Sequence, residues 1–269
     1  MININDLTVC YYAGREQSRA TEFIAVDNVR LKIPDNSVFA LVGESGCGKT
    51  TLGLAMTRLI DTKDGMIKHG SVMLEDKNIL KFSEEELRDV RGKKISYIFQ
   101  EPASSLNPVF TIGEQIDETL LAHKIATKKN VKSLTLASLK EARLDDAQRI
   151  YKSYPHQLSG GMKQRAMIAM AIATRPKLII ADEPTTALDV DTEREILHLL
   201  LSLRGDLSLS ILFITHNIRI VKDIADEVAV MHDGKIVETG SADRVFRFPK
   251  HEYTKLLVLS MPENIVQTL

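Results

Sequence analysis

Gly43-Glu44-Ser45-Gly46-Cys47-Gly48-Lys49-Thr50 fits the pattern G-x-x-x-x-G-K-[ST]. Glycines at these spacings let backbone N–H groups turn inward around phosphates. Lys49 brings a cation to the β- and γ-phosphates, and the Thr50 hydroxyl is a hard ligand for Mg²⁺. The neighbouring chain supports this chemistry. Val38-Phe39-Ala40-Leu41-Val42 is a short apolar run that predicts a buried parallel strand, and residues 49–59 predict a helix. Phosphates would then sit at a helix N-terminus, where unpaired N–H groups and the macrodipole favour anions. The ligand these residues predict is a nucleoside triphosphate.

A second set of residues could use it. Leu178-Ile179-Ile180-Ala181-Asp182-Glu183 puts two carboxylates at the C-terminal end of an apolar strand, where ligands of open α/β sheets bind. Asp182 can hold Mg²⁺ directly or through water, together with Thr50. Glu183 is placed to orient or deprotonate the water that attacks the γ-phosphate. Asp-Glu after an apolar run is ordinarily just a strand end; the phosphate loop upstream is what gives it a task. Gln100 follows the apolar run Ile95-Ser96-Tyr97-Ile98-Phe99, and its amide can contact both Mg²⁺ and the attacking water. His216 follows a strand ending at Thr215 and can donate to a γ-phosphate oxygen. Tyr11, on an N-terminal strand, can stack on a base. Taken singly, these three are more often surface, structural and core residues.

Leu158-Ser159-Gly160-Gly161-Met162-Lys163-Gln164-Arg165 is a second Gly-containing run, far from the first. Ser159 is the natural N-cap of a helix reaching about residue 174, and Gly160 and Gly161 leave backbone N–H groups uncovered. A site with its own phosphate loop has no local need of another anion-binding helix start. The run makes sense if it closes over a nucleotide held by a different subunit.

The elements that must position these residues are those of an α/β domain. With 269 residues the chain is long enough for one large domain with an inserted subdomain. Residues 1–40 read as strands and turns, with Leu7, Val9 and Tyr11 alternating against Thr8, Cys10 and Tyr12. Ser83-Glu84-Glu85-Glu86 predicts a capped helix to about residue 91. From 111 to 154 no strand is predicted. Ile112, Ile116, Leu120 and Leu121 recur at helical spacing, and a basic, polar stretch from 124 to 132 predicts a mobile middle. Strands are predicted again at 177–181 and 210–215, with a Leu-rich helix over 191–204 between them. Strand–helix–strand alternation with continuously apolar strands indicates a parallel sheet covered on both faces. Met231-His232-Asp233-Gly234-Lys235-Ile236 predicts a hairpin turn.

Composition narrows the class. Apolar content of 44% and charged content of 26% are ordinary for a globular protein. Lys plus Arg (35) and Asp plus Glu (36) nearly cancel, so no bulk field argues for nucleic acid or an acidic membrane surface. The start lacks the pattern of a secretion signal, and no apolar run approaches the ~20 residues that span a bilayer. Cys10 and Cys47 form no disulfide framework. The expectation is a cytosolic protein whose membrane part, if it has one, is another chain.

The ordered set of motifs resembles the ATP-binding subunit of ABC transporters, over roughly residues 5–262. Tyr11 matches the adenine-stacking aromatic, residues 43–50 the Walker A loop, Gln100 the Q-loop glutamine and residues 158–164 the signature motif. Residues 179–183 match the Walker B strand with its catalytic glutamate, Ala187-Leu188-Asp189 the D-loop, and His216 the switch histidine. The resemblance implies an α/β fold: a P-loop NTPase core with a mainly parallel sheet, an N-terminal antiparallel β region and an inserted helical subdomain. It implies a discontinuous core over 1–100 and 161–245, a helical subdomain over 101–160 and a tail over 246–269.

The cofactors so implied are ATP and Mg²⁺. Glu183, His216, Gln100 and Lys49 are the expected catalytic residues, and Thr50, Gln100 and Asp182 the metal ligands. The expected nucleotide contacts are Tyr11, Gly43, Glu44, Ser45, Gly46, Cys47, Gly48, Lys49, Thr50, Thr51, Ser159, Gly160, Gly161, Gln164 and Asp189.

Longer stretches are similar to the branch that imports dipeptides, oligopeptides and nickel. They include Phe99-Gln100-Glu101-Pro102-Ala103-Ser104-Ser105-Leu106-Asn107-Pro108, Tyr154-Pro155-His156-Gln157 and Pro249-Lys250-His251-Glu252-Tyr253-Thr254. Asn217 departs from the family's common Asp. The end at Leu269 lacks the Cys-bearing extension of many peptide-branch members, which leans towards nickel or metal chelates. The partners implied are a second ATPase subunit, permease subunits, an external solute-binding protein reached through them, and no nucleic acid. The expected place is the inner face of the cell membrane. The competing expectation, a soluble ATPase of this type acting on nucleic acid or the ribosome, lacks the tandem domains, coiled coils or zinc modules of such proteins.

Overall fold

The computed structural model describes residues 2–13, 21–186 and 188–260. Met1, Ala187 of the expected D-loop and the tail beyond 260 lie outside them. The chain forms two compact units, one from residues 1–83 and 212–269 and the other from Glu84–Ile211.

The first unit opens with β1 (Ile2–Ala13) and β2 (Thr21–Ile33), then β3 (Val38–Val42), α1 (Lys49–Met56), β4 (Gly65–Leu74) and β5 (Lys77–Asn78). Strands β2, β1, β4 and β5 make an antiparallel sheet in that order. Strict alternation does not hold along β1: Leu7, Thr8, Val9 and Cys10 are all buried. The strand lies between β2 and β4, and its register shifts at residues 7 and 9 turn successive side chains inward. The Thr8 hydroxyl is satisfied there by accepting from the Asn28 N–H at 3.0 Å.

Helix α1 stops short of the predicted residue 59. Arg58 takes a left-handed φ of 51°, and the Leu59 N–H folds back to the Leu54 carbonyl, closing the helix end.

The second unit carries α2 (Glu84–Arg88), β6 (Ile95–Ile98), α3 (Pro102–Ser105), α4 (Ile112–Ala122), α5 (Val131–Glu141), α6 (Ala147–Lys152), α7 (Gly160–Ala173), β7 (Leu178–Asp182) and α8 (Val190–Leu207). Strands β6 and β7 pair in parallel, Ile95 opposite Leu178 and Ile98 opposite Ala181. Thr111 and Glu114 form a reciprocal capping box on α4. The expected mobile middle is instead a hydrogen-bonded connection. The Asn130 side chain accepts from the Thr127 N–H at 2.7 Å and its hydroxyl at 2.9 Å, and α5 begins at the next residue.

Strand β8 (Ser210–Thr215) brings the chain back to the first unit, followed by α9 (Ile218–Ile224), β9 (Glu227–His232), β10 (Lys235–Ser241), α10 (Ala242–Arg247) and α11 (Glu252–Leu259). Strand β9 runs parallel to β3 and antiparallel to β10. Asp233 and Gly234 both have positive φ (46° and 77°), the geometry of a two-residue hairpin turn that matches strand twist. Ala40, Val42, Val221, Val228, Val230, Val245, Phe246 and Tyr253 form one buried cluster that ties α9, α10 and α11 to β3 and β9.

Candidate active site

In the first unit, all five residues of β3 are buried, and the chain leaves the strand directly into the phosphate loop. Two glycines are required by close approach. A Cβ on Gly43 would lie 2.2 Å from the Met231 carbonyl oxygen, and one on Gly48 2.2 Å from the Ala25 carbonyl oxygen. Gly48 also has φ of 106°, a left-handed conformation at the N-cap of α1.

Lys49 is 5% exposed. Its Nζ donates to the Gly43 and Glu44 carbonyls, both at 2.8 Å, and lies 3.8 Å from Cys47 Sγ. Among the described residues, its hydrogen-bond partners are neutral loop groups. Burial pushes the Cys47 thiol pKa up, against the pull of Lys49. Glu44, Ser45, Gly46 and Thr50 are exposed around it.

Of the two adjacent tyrosines, Tyr11 is the one tied to α1: Thr51 Oγ1 lies 3.5 Å from its hydroxyl oxygen. Gly65 is what admits the ring, since a Cβ there would come within 2.7 Å of it. His216 is exposed just after β8.

Two contacts on the phosphate loop come from residues with no role assigned from sequence. The Gly234 N–H of the hairpin donates to the Cys47 carbonyl at 3.0 Å. The Glu44 N–H donates to the Tyr253 hydroxyl oxygen, also at 3.0 Å. Only spacing-independent contacts reveal these; the sole signal in the sequence was the similarity of the 249–254 segment to one family branch.

In the second unit, the parallel pairing of β6 and β7 brings their C-terminal ends together. Asp182 is 2% exposed and accepts from the Tyr97 hydroxyl at 2.8 Å. Gln100 Nε2 donates to Glu183 Oε2 at 3.0 Å, and the Thr186 hydroxyl donates to the same oxygen at 3.0 Å. Glu183 has φ of 46°, a left-handed conformation that non-glycine residues hold at a cost of about 1–2 kcal/mol. Thr186 and Tyr97 were not singled out from sequence.

The signature run behaves as a capped helix start: the Ser159 hydroxyl accepts from the Met162 N–H at 3.3 Å. Ser159 and Gly160 are exposed. Gly161 allows close packing on α8, where a Cβ would lie 2.7 Å from Thr192 Cγ2. Asp189 caps α8, accepting from the Thr192 N–H at 2.9 Å and its hydroxyl at 2.7 Å, and these bonds lower its pKa. Gln164 is 1% exposed, on the packed side of α7.

A glycine-rich loop opening a helix at Gly48, a buried Asp followed by a Gln-bonded Glu, and an exposed Ser-Gly helix start together define an ATP-binding cassette. A family model described as ABC transporter matches residues 26–186, and the chain belongs to that family.

Two curated relatives are informative. The chain is 42% identical over 268 residues to the glutathione import ATP-binding protein GsiA of Salmonella choleraesuis (strain SC-B67), covering 98% of this chain and 42% of GsiA. It therefore spans less than half of that relative. It is 43% identical over 262 residues to the oligopeptide transport ATP-binding protein AppD of Bacillus subtilis (strain 168), covering 97% of this chain and 78% of AppD. Among solved structures, the dimeric post-hydrolysis state of the ATP-binding cassette MJ0796 bound to ADP and Pi superposes with a TM-score of 0.77. Its identity is 28%, and 90% of this chain and 99% of that one are covered. Among the described residues, no helix is long and apolar enough to cross a membrane.

Proposed function

We propose that the chain is the ATP-hydrolysing subunit of an importer that takes up peptides or peptide-like solutes through partner membrane subunits. The observation that carries the reading is Lys49, a buried ammonium resting on two loop carbonyls at 2.8 Å at the glycine-capped start of α1. A cation so placed gains by exchanging those carbonyls for phosphate oxygens.

Each residue then has a task. Backbone N–H groups of residues 45–50 surround the phosphates, and Tyr11 stacks on the adenine. Glu183 takes a proton from water as its oxygen bonds to the γ-phosphorus and the bond to the ADP oxygen breaks, giving ADP and phosphate. Gln100 orients that carboxylate and the water, and His216 donates to the γ-phosphate. Because phosphoryl transfer is mostly positioning and charge neutralisation, these contacts account for the catalysis. The Thr50 hydroxyl, the Asp182 carboxylate and the Gln100 amide are hard oxygen donors that suit Mg²⁺, an ion commonly held by one or two protein oxygens plus substrate phosphates. When bound, it neutralises phosphate charge.

Ser159, Gly160 and Gly161 act on ATP held by a second ATPase subunit, so the working form is a dimer on the inner face of the membrane. The names of the glutathione and oligopeptide relatives favour a peptide-type solute; a nickel or metal-chelate solute is the variant within the same branch. The test is Mg²⁺-dependent ATP binding and hydrolysis by the chain, then ATP-driven peptide uptake into vesicles carrying its permeases. Wild-type hydrolysis by Lys49→Ala would overturn the assignment of the site.

A further inference from the structure

Helix α11 belongs to a tail that the catalytic reading leaves without a task, yet it reaches the phosphate loop. Three anchors hold it. Glu238 on β10, 8% exposed, accepts from the Lys250 N–H at 3.0 Å and the His251 N–H at 3.0 Å. The Tyr253 ring stacks on His232, centroids 3.9 Å apart and planes 22° apart. The same ring closes the cluster of Val42, Val230, Val245 and Phe246. These contacts fix the phenol so that its oxygen accepts the Glu44 N–H.

Glu44 is thus held at both ends: its N–H by Tyr253, and its carbonyl by Lys49. The two holds differ in kind. Lys49 must leave the loop carbonyls to reach phosphate, whereas Tyr253 has no reason to move. We propose that Tyr253 is a positioning residue for nucleotide binding, keeping the entry to the phosphate loop in its binding shape once Lys49 has changed partners. The tail, on this view, is part of the nucleotide site, and anything that lifts α11 weakens ATP binding. The inference rests on the ATP-binding reading above.

The physical consequence is a difference between states. Without the Tyr253 acceptor, the free loop is still held by Lys49, but the loaded loop is not. The loss should therefore appear as weaker binding. A neutral hydrogen bond of ordinary net worth corresponds to roughly 3–10-fold in an equilibrium constant.

The test compares Tyr253→Phe, which keeps the ring and removes the acceptor, with Leu139→Ala, which opens a cavity under α5 in the other unit, outside the cluster that holds Tyr253. Equilibrium binding of a fluorescent ATP analogue, KM and kcat for ATP, and thermal midpoints of the free proteins are measured for each. Expected are a Kd and KM for Tyr253→Phe raised about 3–10-fold, with the loss in KM rather than kcat. Leu139→Ala should lower the thermal midpoint and leave Kd at the wild-type value. Equal Kd for Tyr253→Phe and wild type would overturn the proposal. So would a rise in Kd for Leu139→Ala as large as that for Tyr253→Phe, because general loosening would then suffice. Failure of the wild type itself to bind the analogue would instead overturn the ATP-binding reading.

Discussion

Gln100 and Glu183 meet through a 3.0 Å hydrogen bond across 83 positions of sequence, the amide donating to the carboxylate. The parallel pairing of β6 with β7 makes this contact, because it sets Ile98 opposite Ala181 and so ends the two strands side by side. Glu183→Gln should keep ATP binding and slow hydrolysis by at least ~10². An ATP-loaded dimer should accumulate. Single-turnover hydrolysis checks this, and a wild-type rate would remove Glu183 from the base role. His216→Ala should also slow turnover, by a smaller factor.

Tyr11 and Tyr12 are neighbours on β1, but the hydroxyl near Thr51 and the ring against Gly65 belong to Tyr11. Tyr11→Ala should weaken ATP binding about tenfold, the loss of ~1–2 kcal/mol of base stacking. The rate at saturating ATP should change little. Titration of both single variants decides the matter: an effect of Tyr12→Ala alone would assign the stacking ring to the other face of the strand.

The exposed start of α7 predicts complementation between two dead variants. Lys49→Ala removes the site that holds the chain's own ATP, and Ser159→Arg blocks the site on the partner. Mixing them leaves one composite site with an intact phosphate loop and an intact signature. ATPase activity should return on mixing if the chain pairs with itself, or with one lesion on each chain if its partner is a different ATPase. Absence of rescue in both arrangements, with dimers demonstrated, would mean the signature acts within its own chain.

Glu238 makes the tail's attachment sensitive to acid. Burial raises its pKa, but the His251 and Lys250 N–H groups outweigh burial and the carboxyl sits below the usual range. A folded-state pKa below the unfolded one contributes stability above about pH 4.3, lost as pH falls through the folded value. Glu238→Gln should therefore lower the thermal midpoint near neutral pH, with the gap to wild type closing as the pH falls through the lowered pKa of the folded state. A gap independent of pH would show that the carboxylate's charge is not what holds the tail.

Much of this molecule is legible in its amino-acid sequence. The phosphate loop, the strand over Val38–Val42 and the strand over Ser210–Thr215 fall where the apolar runs and glycines put them. So does α7, capped by Ser159. Those features are local: capping, buried-strand composition and the glycines of a phosphate loop act within a few residues of sequence, so residue types alone report them. Along β1 the period-two pattern failed, because its register shifts against β2 and β4 turn successive side chains inward, and those shifts are set by the pairing strands rather than by the strand itself.

The supports of the site were not legible for the same reason. Gly43 and Gly48 are forced by the carbonyls of Met231 and Ala25, and Glu44 is held by a phenol 209 residues away. The sequence determined which groups could bind phosphate and activate water. Only the tertiary structure decided which distant residues hold those groups in place, because such contacts depend on packing between elements and leave no spacing in the chain to read.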